Sequence, residues 1–158
     1  VLAPPVDIAG DYTVTFTADP ACAGGLPAEV RTRTYTTTIP PSSNSGPPAN
    51  AYTDVTLSGA TFYGGHNRVG LGVAGDQVGF WIEPLIEELA PNTLLVFNLS
   101  GSAAVQTSVA STISASAQGG IDYCVLNPGG QYHDCVQHRA AKYAVCSSGN
   151  HRLTLTRR

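Results

Sequence analysis

The feature that most constrains this chain is the strict alternation of "GDYTVTFTAD" (10–19), which sets Tyr12, Val14 and Phe16 on one face and Thr13, Thr15 and Thr17 on the other. A period of two belongs to an extended strand, whose successive side chains point to opposite sides, so one face enters a core while the other meets water. Similar segments recur at 29–39, 52–63, 67–75, 76–84, 93–107, 111–125 and 151–158, separated by Gly- and Pro-rich turns. Val78, Phe80 and Ile82 align after a tight Gly75-Asp76 turn, and Arg31, Arg33, Tyr35 and Thr37 share one side of the second segment. Residues 85–92, bracketed by Pro84 and Pro91, fit either one helical turn or a continued strand.

About eight strands in order on short connections predict an all-β, antiparallel up-and-down meander. Closing it into a barrel by pairing the first strand with the last removes both exposed edges. Gly59, Gly70, Gly72, Gly79 and Gly101 suit the bends of a small barrel. A β-sandwich is the alternative.

The 158 residues suit one domain, able to bury roughly 68–70% of the unfolded chain's surface. Residues 1–9, "VLAPPVDIA", read as an apolar, proline-stiffened N-terminal arm, and 10–158 as a single barrel domain. The Pro/Ser-rich stretch 39–51 reads as a loop. Charged residues are 12% of the chain and the net charge of −3 is spread without a basic run, which argues against nucleic acid as a partner. The absence of Met predicts that an N-terminal segment, most simply an export signal, has been removed, and a secreted or cell-surface location follows. The longest apolar stretch, "TLLVFNL" (93–99), is strand-sized, so no transmembrane segment is expected.

Gly10-Asp11-Tyr12 opening the first strand, with Arg152, Arg157 and Arg158 in and after the last, is similar to the calycin barrels, the lipocalin and avidin types. These open with Gly-x-Trp and pack a final-strand Arg near it; here Tyr12 stands in the Trp position. The resemblance implies an eight-stranded barrel with a ligand-holding mouth, for which Tyr12, Phe16, Phe80 and Phe97 are the candidate lining. The chain also resembles small exported bacterial β-barrel domains of unassigned role, which implies a location more than a function.

Three of the four cysteines and three of the four histidines fall within residues 124–151. Cys135 and His138 have a spacing that a zinc ion accepts, with Cys124, Cys146 or His151 to complete the set, but no C-x2-C pair accompanies them. Four cysteines in an exported chain fit two disulfides better. If the first strand pairs with the last, Cys22 at the end of one meets Cys146 at the start of the other. Cys124 and Cys135 then close a small loop over the Asn127-Pro128-Gly129-Gly130 turn. With the cysteines consumed, no metal or other cofactor is expected, and His151, in phase with Leu153 and Leu155, becomes an inward structural histidine. His66 reads as a turn residue.

Enzyme signatures are thin: no G-x-S-x-G, no H-E-x-x-H and no phosphate-cradling loop. Glu83, Glu87 and Glu88 form the one acidic cluster, read as a solvated turn or cation-holding rim rather than a hydrolytic pair. Asp7 with Asp11 is a weaker cation candidate, and His133, Asp134 and His138 a weaker catalytic one. Trp81, out of phase with Val78, Phe80 and Ile82, is expected outside, as an interface or glycan platform. Asn98-Leu99-Ser100 is a glycosylation sequon within a strand. The expectation is therefore a non-enzymatic exported barrel acting through protein contacts, as a subunit of an extracellular or cell-surface filament or other assembly. Val1, Leu2, Pro4, Pro5, Val6 and Trp81 are the candidate interface, with self-association through the arm. A calycin-like module holding a small apolar or aromatic ligand, or a glycan, is the alternative.

Overall fold

A computed structural model describes residues 6–41, 50–105, 111–137 and 139–158. The strands are β1 (Gly10–Thr17), β2 (Thr32–Ile39), β3 (Asn50–Thr56), β4 (Arg68–Ala74), β5 (Gln77–Trp81), β6 (Leu85–Ala90), β7 (Thr93–Ala104), β8 (Thr112–Val125) and β9 (Lys142–Arg157), with one short helix, α1 (Tyr132–Val136). All pairings are antiparallel, in the order β2-β1-β9-β8-β7-β5-β4-β3, with β6 also on β7. The first strand lies beside the last, Tyr12 opposite Arg157 and Thr17 opposite Arg152. The two ends of this sheet meet where Thr36 of β2 forms an antiparallel bridge with Ser58, two residues past the end of β3, with N···O distances of 2.9 and 2.8 Å. The result is one nearly closed barrel, not a two-sheet sandwich.

Residues 85–92 resolve as strand and turn. β5 pairs with the second half of β7 and β6 with its first half, so the two form one barrel stave broken at Glu83-Pro84. Proline has no N–H to give to a ladder, which is why the break falls there. Counted this way the barrel has the expected eight staves. Several boundaries differ from the sequence reading. The second strand starts at Thr32, because Ala28–Val30 form a 3-10 turn after Pro27; β3 ends at Thr56, short of 63; β9 starts at Lys142, nine residues before 151. That early start was hidden because "KYAVCSSGN" has no clean alternation. A bulge in the β8–β9 ladder, where Gly149 and Asn150 oppose Gln118 alone, shifts the phase midway.

Inward side chains of every stave form the main core, including Tyr12, Val14, Phe16, Tyr35, Leu71, Phe80, Phe97 and Leu153. A second, smaller core sits on the outside of the wall. Ile86, Leu94, Val96 and Cys124 alternate outward from β6, β7 and β8, and α1 with Leu126 and Cys135 covers them. Both disulfides are those expected, Cys22–Cys146 and Cys124–Cys135, each with Cα atoms 5.7 Å apart.

Candidate functional site

The barrel has two different rims. Gly10, Ala74, Gln77, Ala104 and Arg157 stand at one, and residues 6–9 lie across it: Val6 N–H donates to Gly75 O at 2.8 Å, and Ile8 is buried in the main core. The Tyr12 hydroxyl donates to Ile8 O at 2.8 Å, and Arg157 Nη1 to Ala9 O at 2.7 Å. The Arg157 guanidinium lies over the Tyr12 ring, 5.1 Å from its centre, a cation–π contact. A Cβ on Gly10 would stand 2.5 Å from Arg157 Nη1, and its φ of +144° is open to glycine almost alone, so this position is glycine for two reasons. A first-strand aromatic, a glycine two residues before it and a last-strand arginine thus meet, an arrangement compatible with a calycin-like barrel.

At the opposite rim stands a polar group that sequence reading missed. Glu87 is 3% exposed and faces inward from β6, where Arg33 grips it with Nε–Oε1 at 2.8 Å and a second contact from Nη2 to Oε2. The Tyr35 hydroxyl donates to Oε1 at 2.6 Å. Burial, then the bonded Glu87 carboxylate, push the Tyr35 phenol far above its usual range, and the Glu87 hydrogen bond raises Arg33. The acids do not act as a trio: Glu83 is exposed, and Glu88 N–H bonds Thr61 O. The sequence carried half of the signal: Arg33 shares its side of the strand with Tyr35, and if that side faces the core the arginine needs a carboxylate partner.

The candidate ligand-lining residues Tyr12, Phe16, Phe80 and Phe97 are all buried. Phe16 stacks on Phe97 with ring centres 4.8 Å apart and meets Tyr35 edge-on at 5.8 Å. Between Leu71, Val78, Phe80, Ile113, Ala115, Leu153 and Leu155 the interior leaves an apolar void of about 10 Å³, at the threshold for a single water.

The outer wall is more open. Trp81 is 41% exposed and Tyr52 62%, with ring centres 6.5 Å apart. Gly70 and Gly72 of β4 lie beneath them, and a Cβ on Gly70 would fall 2.2 Å from Trp81 Cε2. The indole therefore lies flat against the sheet, held by a gap in the side chains below it. Beside Trp81 runs an open trough of about 810 Å³, lined by Glu83, Asn98, Gln118 and Ser148 among others.

His151 is 1% exposed and points inward as expected. Asp19 N–H donates to its Nδ1 at 2.9 Å, while Nε2 has no partner. A ring nitrogen and the sulfurs of Cys22 and Cys146 lie within 4.8 Å of one another. Joined as a disulfide, those sulfurs are not the thiolates that metal binding needs. Hydrogen bonds from Ser148 Oγ (2.5 Å) and Ala21 N–H hold the Asp19 carboxyl below its ordinary pKa.

The other candidates are dispersed. Asp7 accepts from Ala9 N–H and Asp11 from the Thr38 hydroxyl. Asp134 caps α1 through Gln131 N–H, and His133 leans on the Tyr132 ring. His66 follows a 3-10 turn and packs on Tyr132. Val1, Leu2, Pro4, Pro5, His138 and most of the 39–51 loop lie outside the described residues. Comparison with protein-family models, with curated proteins and with solved structures matches nothing.

Proposed function

We propose that this is a non-enzymatic, exported β-barrel that works through protein contacts, as a subunit of an extracellular or cell-surface assembly. The observation that carries the reading is the aromatic pair on the outer wall. Trp81 and Tyr52 are kept on an exposed face above two glycines, while the inward aromatics Tyr12, Phe16, Phe80 and Phe97 are buried, which favours the outer wall as the surface for recognition. Large exposed aromatics over a low-charge sheet are characteristic of contact surfaces. Val1, Leu2, Pro4 and Pro5 supply a second contact, since residues 6–9 are spent on the barrel's own rim.

The test is the native mass over a range of concentrations. The parent chain is expected to form particles larger than one chain, and Trp81→Ser with Tyr52→Ser to shift it towards monomer. Removing residues 1–5, which leaves Ile8 in place, is expected to weaken the particle without unfolding the barrel. A parent that stays monomeric at high concentration, or variants that assemble as well as it does, overturn the proposal.

A second reading, a glycan on the trough, draws on the neutral polar groups of Asn98, Gln118 and Ser148 beside the Trp81 ring. Trp81 is the single tryptophan, so fluorescence reports on this face alone. A saturable change in emission on adding oligosaccharide, lost in a Gln118→Ala variant, would favour it.

A further inference from the structure

His151 has two nitrogens with opposite duties. The backbone N–H of Asp19 donates to Nδ1, so Nδ1 carries a lone pair and the proton of the neutral ring sits on Nε2. That Nε2–H is buried and donates to nothing. Buried donors are almost always partnered, and an exception calls for an explanation, of which a redox role is one. An acceptor that depends on redox state is at hand. One of the two ring nitrogens and the Cys22 and Cys146 sulfurs lie within 4.8 Å of one another, and those sulfurs accept poorly as a disulfide and strongly as a thiolate.

We propose that Cys22–Cys146 is a thiol-exchangeable disulfide whose reduced form is held by His151, with a low-molecular-weight thiol as its substrate. Cys146 is partly exposed and Cys22 buried, so attack falls on Cys146. The incoming thiolate forms a bond to Cys146 Sγ, and the Sγ–Sγ bond breaks with its electron pair leaving on Cys22 Sγ. His151 Nε2–H donates to that new thiolate. A second thiol then attacks the mixed disulfide, departing as the oxidised small-molecule disulfide and leaving Cys146 as a thiol. Two external thiols are oxidised, one protein disulfide is reduced, and the proton not kept by Cys22 goes to solvent. Cys124 on β8 and Cys135 on α1 are both fully buried where the helix covers the wall, and serve as an internal control.

The experiment equilibrates the native protein in reduced and oxidised glutathione, traps thiols by alkylation and reads each cysteine by peptide mass spectrometry. Cys22 and Cys146 are expected to open in buffers that leave Cys124–Cys135 closed. His151→Leu, which removes the donor, is expected to move the Cys22–Cys146 equilibrium on the order of tenfold towards the disulfide, the size of one hydrogen bond to a charged group. His151→Gln, whose amide N–H reaches a similar place, is expected to restore most of the shift. Equal equilibria in the Leu variant and the parent overturn the proposal. If the Leu variant does not fold, the parent decides alone: Cys124–Cys135 opening first, or both opening only together, overturns it.

Discussion

Arg33, Tyr35 and Glu87 show how a charge survives inside the barrel. A buried carboxylate is costly unless an opposite charge and further donors replace its water, and here the two guanidinium contacts and the Tyr35 hydroxyl do so. Arg33→Leu is expected to cost about 3 kcal/mol, the lower end for a broken buried pair because the arginine is partly exposed. Arg33→Leu with Glu87→Leu is expected to recover most of that, read by urea unfolding. A double variant as weak as the single would show that the pair does more than cancel its own burial. In the sequence, Tyr12, Val14, Phe16 and Trp81 declare their faces, because alternation alone decides them. Glu87 did not, since its parity becomes readable only once 85–92 is known to be strand.

At the scale of elements, α1 is five residues long and too short to be stable alone. It stays folded because Cys124–Cys135 ties it to β8 and because it covers Ile86, Leu94 and Val96. Cys124→Ser with Cys135→Ser is expected to cost about 3 kcal/mol by the loop-entropy estimate, measured by chemical denaturation. Binding of a hydrophobic dye should rise as those side chains are uncovered, and unchanged dye binding would mean the helix holds without its staple. The two disulfides were legible because barrel closure brings Cys22 to Cys146 and leaves the other two adjacent. The outer core was not, because "TLLVFNL" is apolar on both faces and gives no hint of which neighbour covers the second one.

For the whole molecule, closure joins the chain's first strand to its last, so the barrel is complete only once β9 is in place. Two neutral phenols are built into it. Burial raises Tyr12 above its usual pKa despite Arg157, and burial with Glu87 raises Tyr35. A group raised on folding contributes stability that is whole below its unfolded pKa and is lost as pH climbs beyond it. The melting temperature is therefore expected to be insensitive to tyrosine ionisation up to about pH 10 and to fall steeply above it, and Tyr35→Phe to make that fall shallower. An unchanged slope in that variant would assign the alkaline loss elsewhere.

Gly10 and Arg157 stand together at the rim crossed by residues 6–9, while α1, Glu87 and the Cys22 turn stand at the other. A carrier or support joined after Arg158 would therefore stand at the rim that residues 6–9 cross, and the glutamate's rim would face away from it.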